Sequence, residues 1–213
     1  FGSSWLCSLP PACGHAPSIM RCLARCLRLK RDEGEDAAAT ERVRLKECGA
    51  GVQVVEGVNG ATVSGSGVVL GGAEVEQDAA YWEVRVVSLP EGGSCCMGVA
   101  RQTVPLDAAL SAPMRPGAEA GAAQSWALSS LSASLMEGDV VGVAFGLGEL
   151  PNLRFFCNGE PLEVGSVTHI RGTVCPAFSV HGGAVLSVAF ERDGFRYPPP
   201  ARFTELIPTR SLL

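Results

Sequence analysis

The chain has 213 residues and nine cysteines, and its formal net charge is −5 at neutral pH. This length fits one domain and a tail. It can bury a core that needs neither a metal ion nor a disulfide, and no apolar run approaches the roughly 18 residues of a transmembrane helix. An acidic chain with one short basic segment is not expected to bind nucleic acid, and an odd number of cysteines without metal-ligand spacing predicts reduced thiols in a cytoplasmic protein.

The N-terminal region differs in composition from the rest of the chain. Residues 1–19 show no periodicity, and we interpret them as a disordered or upstream extension. Residues 20–42 form a basic, cysteine-containing segment followed by an acidic linker, and helical spacing over 20–31 places arginines opposite Cys22 and Cys26. Three interpretations stay open: lipidation of Cys22 and Cys26 by palmitoylation with peripheral membrane association, a solvated terminus, or a mitochondrial transit peptide.

Beyond this region the sequence consists of short apolar runs separated by Gly, Asn and Pro. This pattern predicts an all-β domain over residues 43–207, followed by a C-terminal tail at 208–213. The stretch 107–124 is rich in Ala, Gly and Pro and predicts a surface loop within the domain. The predicted strands are 52–55, 61–64, 67–70, 81–87, 95–100, 125–128, 139–145, 153–157, 173–179 and 184–190.

One strand and two turns are predicted in more detail. Residues 81–86 alternate, with Trp82, Val84 and Val86 on one face and Tyr81, Glu83 and Arg85 on the other, which indicates a half-buried strand. Two Asn-Gly pairs predict hairpins with type I′ turns, in which both central residues have positive φ. Those pairs are Asn59-Gly60 and Asn158-Gly159.

Few residues suggest chemistry. The candidates for catalysis are His169, His181, Cys157 and Cys175, but both cysteines lie in apolar strand runs, where a thiol usually acts as a small buried hydrophobe. The chain contains no nucleophile elbow, phosphate-binding loop or zinc-peptidase motif. We therefore predict no enzymatic activity, no metal site and no cofactor.

Five segments, taken together and in this order, resemble the SPRY domain, also described as B30.2-like. A closer resemblance, to one small single-domain member of that family, extends over nearly everything from Met20 and includes the runs 170–174 and 198–200. One departure is the short connection between residues 128 and 138. The five segments are Tyr81–Val86, Cys96–Ala100, Gly138–Val143, Phe155–Gly159 and Cys175–Ser179.

The resemblance implies a bent two-sheet antiparallel β-sandwich that binds a protein or peptide partner through loops at one rim. The protein is expected to be a monomer on its own; the alternative is a structural subunit held permanently in a larger assembly. By the same resemblance, His181 should be partly exposed and close to Arg101 or Ser94. The partner-binding residues that it implies are Gly93, Ser94, Arg101, Gln102, Thr103, Val180, His181 and Gly182.

Overall fold

The structure is a computed structural model that describes residues 42–110, 124–163 and 166–208. These residues belong to one compact unit that spans residues 41–213. The predictions for residues 1–19 and for the segment that contains Cys22 and Cys26 lie outside the described residues. The same holds for most of the predicted loop at 107–124 and of the tail at 208–213.

The described residues form two sheets, and neighbouring strands in both are antiparallel except where β13 pairs with β5. One sheet has the order β1-β4-β11-β6-β7, and the other has the order β10-β9-β8-β5-β12-β3-β2. A four-residue helix, α1 (Ser130–Ala133), and a 3-10 turn at Arg192–Gly194 lie between strands. The strands are β1 (Leu45–Cys48), β2 (Val52–Gly57), β3 (Gly60–Gly65), β4 (Gly67–Gly71), β5 (Ala79–Ser88), β6 (Ser94–Ala100), β7 (Ser125–Ser129), β8 (Val140–Gly146), β9 (Asn152–Cys157), β10 (Glu160–Pro161), β11 (Cys175–His181), β12 (Val185–Ala189) and β13 (Thr204–Glu205).

The predicted all-β class is confirmed, and each of the ten predicted strands has a counterpart within about two residues at most ends. Three strands were missed. Strand β1 is a largely exposed edge strand, whereas β10 and β13 have two residues each and are therefore too short to show a period. Pro198–Pro200 lies outside the strands, as predicted.

The core lies between the two sheets. Trp82, Val84 and Val86 of β5 are fully buried there and belong to the same cluster as Met97 of β6 and Phe178 of β11. Burial of each such side chain contributes about 1.5–3 kcal/mol. The alternation in β5 therefore identified its inner face correctly.

The outer face of β5 is not exposed as the half-buried pattern predicted. Tyr81 and Glu83 are both buried, because the chain at residues 195–197 folds back over them. The Tyr81 ring packs edge-on against Phe195 at 5.1 Å, and its hydroxyl donates to Glu83 Oε1 at 3.0 Å. Burial, reinforced by the Glu83 carboxylate, raises the pKa of Tyr81. The covering residues lie more than a hundred positions away in sequence, so the period of β5 could not indicate them.

The two Asn-Gly pairs behave differently. Asn158 and Gly159 have φ values of 52° and 88° at the tip between β9 and β10, which confirms the predicted geometry. At the other pair, Gly57 and Gly60 are register partners, so the tip is Val58-Asn59 and the prediction is displaced by one residue. A Cβ on Gly60 would overlap the carbonyl of Val188, so that glycine serves a close approach of two strands.

Candidate functional site

Several loops meet at one end of the sandwich, where β11 ends and β6 begins. His181 is the register partner of Ser94, and Gly67 at the start of β4 pairs with Val180. We call this end the His181 rim and define it as the loops at 65–66, 89–93, 130–139 and 181–184. Strand ends hold these loops, so the rim has a rigid base.

His181 is half-exposed and is anchored through one ring nitrogen. Its Nδ1 lies 2.9 Å from Ser66 Oγ, in the loop between β3 and β4. Its Nε2 is covered and has no hydrogen-bond partner among the described residues. An unpaired buried nitrogen costs free energy, and because Nε2 is covered, a partner could reach it only if the ring or a neighbouring loop moved.

The turn after His181 is a tight one with two left-handed residues. Gly182 and Gly183 have φ values of 61° and 85°, and the Ala184 N–H donates to the His181 carbonyl at 3.2 Å. A Cβ on Gly182 would lie 2.7 Å from the Gly92 carbonyl oxygen. The lack of a side chain at Gly182 therefore lets two loops of the same chain approach each other, rather than leaving room for the backbone of a partner.

The predicted partner-binding residues do not form one group. Arg101, Gln102 and Thr103 follow the last residue of β6, whereas Ser94 is its first residue. A strand of this length spans about 20 Å, so the two groups lie at opposite ends of the sandwich. His181 lies next to Ser94, which satisfies the expectation that it is close to Arg101 or Ser94, while Arg101 lies at the far end of β6.

Arg101 has a structural role at its own end. Its Nε and Nη2 both donate to the Arg171 carbonyl, at 3.1 and 2.9 Å, and its guanidinium lies 5.9 Å from the centroid of the Trp126 ring. These contacts tie the loop before β11 to the end of β6. Arg101 was assigned to the rim from its position in the sequence, which does not show that it and Ser94 stand at opposite ends of β6.

Two further residues from the predicted set are inaccessible. Val180 is fully buried in the core, because alternation along β11 turns it inward between Ser179 and His181. Gly93 is buried against Pro90 and Gly182. Ser94, His181 and Gly182 remain the members of the set that a partner could reach at the His181 rim.

The rim also carries apolar side chains that the sequence analysis did not select. Leu131 of α1 is 75% exposed, and Met136 in the loop after α1 is 69% exposed. The Ser130 hydroxyl accepts the Cys95 N–H at 3.1 Å and so ties α1 to the start of β6. Leu131 and Met136 lie in a Ser-rich connection without strand periodicity, so the sequence carries no sign that they are exposed. Their exposure depends on how the neighbouring loops pack.

A carboxylate holds two rim loops together. Glu137 Oε1 accepts the Leu89 N–H at 2.7 Å and the Ser88 hydroxyl at 3.0 Å. These hydrogen bonds, the backbone one foremost, lower the pKa of Glu137. The connection after β7 is thereby fixed to the end of β5.

The thiols and histidines of the described residues do not assemble a reactive pair. Burial raises the pKa of Cys95 and of Cys175 to about 11, and it also raises the pKa of Cys157, so these thiols are protonated at neutral pH. The hydrogen bonds of His169 and His181 go to hydroxyl groups. Within the described ranges, no three His, Cys, Asp or Glu side chains are grouped as metal ligands.

No helix in the part of the chain that the structure describes has the length and hydrophobicity needed to cross a membrane.

The SPRY domain family matches residues 79–193 of the chain. SPRY domain-containing protein 7 of Homo sapiens and of Mus musculus is 30% identical over 197 residues, which cover 85% of this chain and 93% of that protein. It is the small single-domain protein that the sequence resembles from Met20 onward.

Solved structures with a similar fold are more distant. The SPRY domain of human HERC1 is 17% identical, covers 65% of this chain and 94% of that domain, and has a TM-score of 0.43. The NHR domain of Neuralized from Drosophila melanogaster is 10% identical, with coverages of 74% and 94% and a TM-score of 0.48.

Proposed function

This chain belongs to the SPRY domain family, a family of protein-interaction modules, and we propose that it binds a protein or peptide partner through the His181 rim. One observation carries this proposal. Two exposed apolar side chains, Leu131 and Met136, stand at the same end of the sandwich as the partly exposed His181.

The positions of these residues suit a binding surface. Ser66, His181 and Ser94 follow one another across the ends of β4, β11 and β6. Adjacent strands are about 4.8 Å apart, so this row extends over roughly 10 Å. Because strand ends fix the row, a partner would meet a surface that is already formed, which lowers the entropic cost of binding.

The chemistry of the rim suits an amphipathic partner. Exposed Leu and Met side chains gain free energy when a partner covers them, and Met adapts its shape to irregular surfaces. Ser66 and Ser94 offer hydroxyl groups beside the apolar side chains. A partner segment with an apolar anchor and a neighbouring hydrogen-bonding side chain fits this combination.

The test begins with affinity purification of the full chain followed by mass spectrometry, and then measures the affinity of the recovered partner. His181→Ala and the double change Leu131→Ser/Met136→Ser should each weaken binding by about 1–3 kcal/mol, the range of a useful interface residue. Their melting temperatures should stay close to that of the wild type, because the altered side chains are exposed or half-exposed.

The matched control is Leu150→Ser. Leu150 is also 75% exposed, but it lies in the connection between β8 and β9, away from the rim. It should leave the affinity unchanged. Full affinity in both rim variants, or an equal loss in the Leu150 variant, would show that the partner binds elsewhere.

A further inference from the structure

A trough of about 410 Å³ with a mixed polar and apolar lining lies on the outer face of the eight-stranded sheet. Its floor is formed by Thr62 of β3, Ser187 of β12 and Arg85 of β5, and its walls are the hairpin tip near Asn59 and the segment at residues 193–196. The volume falls within the usual range of ligand sites. Nothing in the proposed function uses this face of the domain.

The floor of the trough is a straight cross-strand row. Thr62 is the register partner of Ser187, and Ser187 is the register partner of Arg85. Side chains directly opposite each other on neighbouring strands stand about 5 Å apart on one face of a sheet. Two hydroxyl groups and a guanidinium group are therefore presented in line on a rigid base.

The wall at residues 193–196 is held in place by two contacts. The Arg196 N–H donates to Glu83 Oε2 at 2.6 Å, and a Cβ on Gly194 would lie 2.5 Å from the Asn59 carbonyl oxygen. The two walls therefore touch each other at one end of the trough. Its shape is set by backbone contacts and does not depend on long flexible side chains.

The cations of the trough are unpaired. Arg85 and Arg196 are exposed, and neither guanidinium has a hydrogen bond or an ion pair within the described ranges. Among the residues that the structure describes, Glu83 forms no ion pair with either guanidinium, and its carboxylate accepts the Tyr81 hydroxyl and the N–H groups of Arg196 and Tyr197. Arg42, by contrast, is paired with Glu191 at 3.1 Å. The guanidinium of Arg85 thus keeps its forked donors free.

We propose that this trough binds a carboxylate carried by a peptide. A guanidinium fork matches the two oxygens of a carboxylate, and the hydroxyls of Ser187 and Thr62 can donate to the same group. Asp193 in the wall can accept an N–H from the peptide backbone.

The neighbouring surface favours an extended ligand over a small molecule. A second cavity of about 120 Å³, lined partly by Arg44 and Glu56, shares Gly57, Asn59 and Gly60 with the trough. The two cavities are therefore adjacent along the β2–β3 hairpin. A peptide whose acidic side chain contacts Arg85 can continue over this hairpin into the second cavity.

The experiment titrates the ¹⁵N-labelled full chain with a capped glycine–glutamate–glycine peptide and follows the amide resonances. The peptide should give saturable shifts at Thr62, Arg85 and Ser187 and in the segment 193–196, and the matching glutamine peptide should not. Arg85→Gln should weaken binding about tenfold, the loss of one charge-assisted hydrogen-bonded pair. Ser187→Glu should abolish binding, since it sets a carboxylate beside Arg85 within the protein itself.

Arg171→Gln is the matched control, because Arg171 is also exposed and carries the same charge, but it lies beside Arg101 at the end of β6, in the other sheet. It should bind the glutamate peptide as the wild type does. The proposal is overturned if the glutamine peptide binds equally well, if Arg171→Gln weakens binding as much as Arg85→Gln, or if inorganic phosphate binds more tightly than the peptide. Acetate that saturates the trough with the affinity of the peptide would show that the ligand is a small carboxylate and that the peptide is not recognised. None of these outcomes depends on the His181 rim.

Discussion

Trp82 fills the centre of the core with no exposed surface, and its indole Nε1 has no hydrogen-bond partner among the described residues. Trp82→Ala should lower the free energy of unfolding by about 3–5 kcal/mol, because it removes a large buried ring and leaves a cavity. Urea denaturation followed by circular dichroism measures this loss.

Trp82→Phe is the informative companion variant. It keeps an aromatic ring in the core and removes an N–H that is unpaired, so it should cost distinctly less than Trp82→Ala. A loss below about 1 kcal/mol for Trp82→Ala would mean that the β5 side chain does not contribute to the core as its burial indicates.

The carboxylate of Glu137 should make the stability of the rim depend on pH. Its hydrogen bonds to Leu89 and Ser88 lower its pKa in the folded state relative to an ordinary value of about 4.3. The stabilisation is therefore complete above the unfolded-state pKa and is lost as the pH falls through the lower, folded-state pKa. Carboxyl-detected NMR should find Glu137 titrating below its ordinary range.

Glu137→Gln supplies the comparison for that pH dependence. The difference in stability between wild type and variant should be present at neutral pH and should shrink below about pH 4. Titration of Glu137 at or above its ordinary pKa, or a stability difference that does not change with pH, would contradict the interpretation.

At the scale of elements, the turn between β11 and β12 joins the two sheets and packs against the loop between β5 and β6. Gly182 and Gly92 both have positive φ, at 61° and 79°, but a Cβ meets the Gly92 carbonyl at the first position and nothing within 4 Å at the second. Gly182→Ala should therefore destabilise the domain more than Gly92→Ala does, by about 1–3 kcal/mol. Thermal unfolding of the two variants measures both losses of stability. The Gly92→Ala loss reports backbone strain alone, and the additional loss in Gly182→Ala reports the steric contact.

Equal destabilisation by the two alanines would indicate that backbone strain explains both losses and that the two loops do not press against each other. Gly182→Ala should also shift His181, which directly precedes it, whereas Gly92→Ala should leave His181 in place.

The two Asn-Gly hairpins illustrate what local sequence decides at this scale. Asn158-Gly159 forms the predicted turn because the connection between β9 and β10 is free to follow the preference of its two residues for positive φ. At Asn59-Gly60, the close approach of Gly60 to Val188 of a third strand places the glycine within β3, and the tip moves to Val58-Asn59. Turn chemistry predicts a hairpin, and packing against a neighbouring strand decides its register.

For the whole molecule, the predicted membrane attachment through Cys22 and Cys26 remains a prediction, since both lie outside the described residues. Residues 20–31 carry five basic and no acidic residues, and an acyl chain next to such a segment gives more durable attachment than an acyl chain alone. Cys22→Ser/Cys26→Ser should move the protein from the membrane to the soluble fraction of a cell lysate. Cys48→Ser, which alters an exposed cysteine of β1, should not. Identical fractionation of the wild type and the double variant would rule out the anchor.

The amino-acid sequence by itself determined the class of the fold, most strand positions and the inner face of β5, because these follow from period-two hydrophobicity and from turn residues acting over a few positions. The placement of the candidate sites required the tertiary structure. Arg101 and His181 lie at opposite ends of paired strands, and residues 195–197 cover Glu83 from more than a hundred positions away. The trough likewise exists because Thr62, Ser187 and Arg85 come from three strands that meet side by side. These outcomes depend on strand order and on the packing of distant segments, and local preference along the chain carries no information about either.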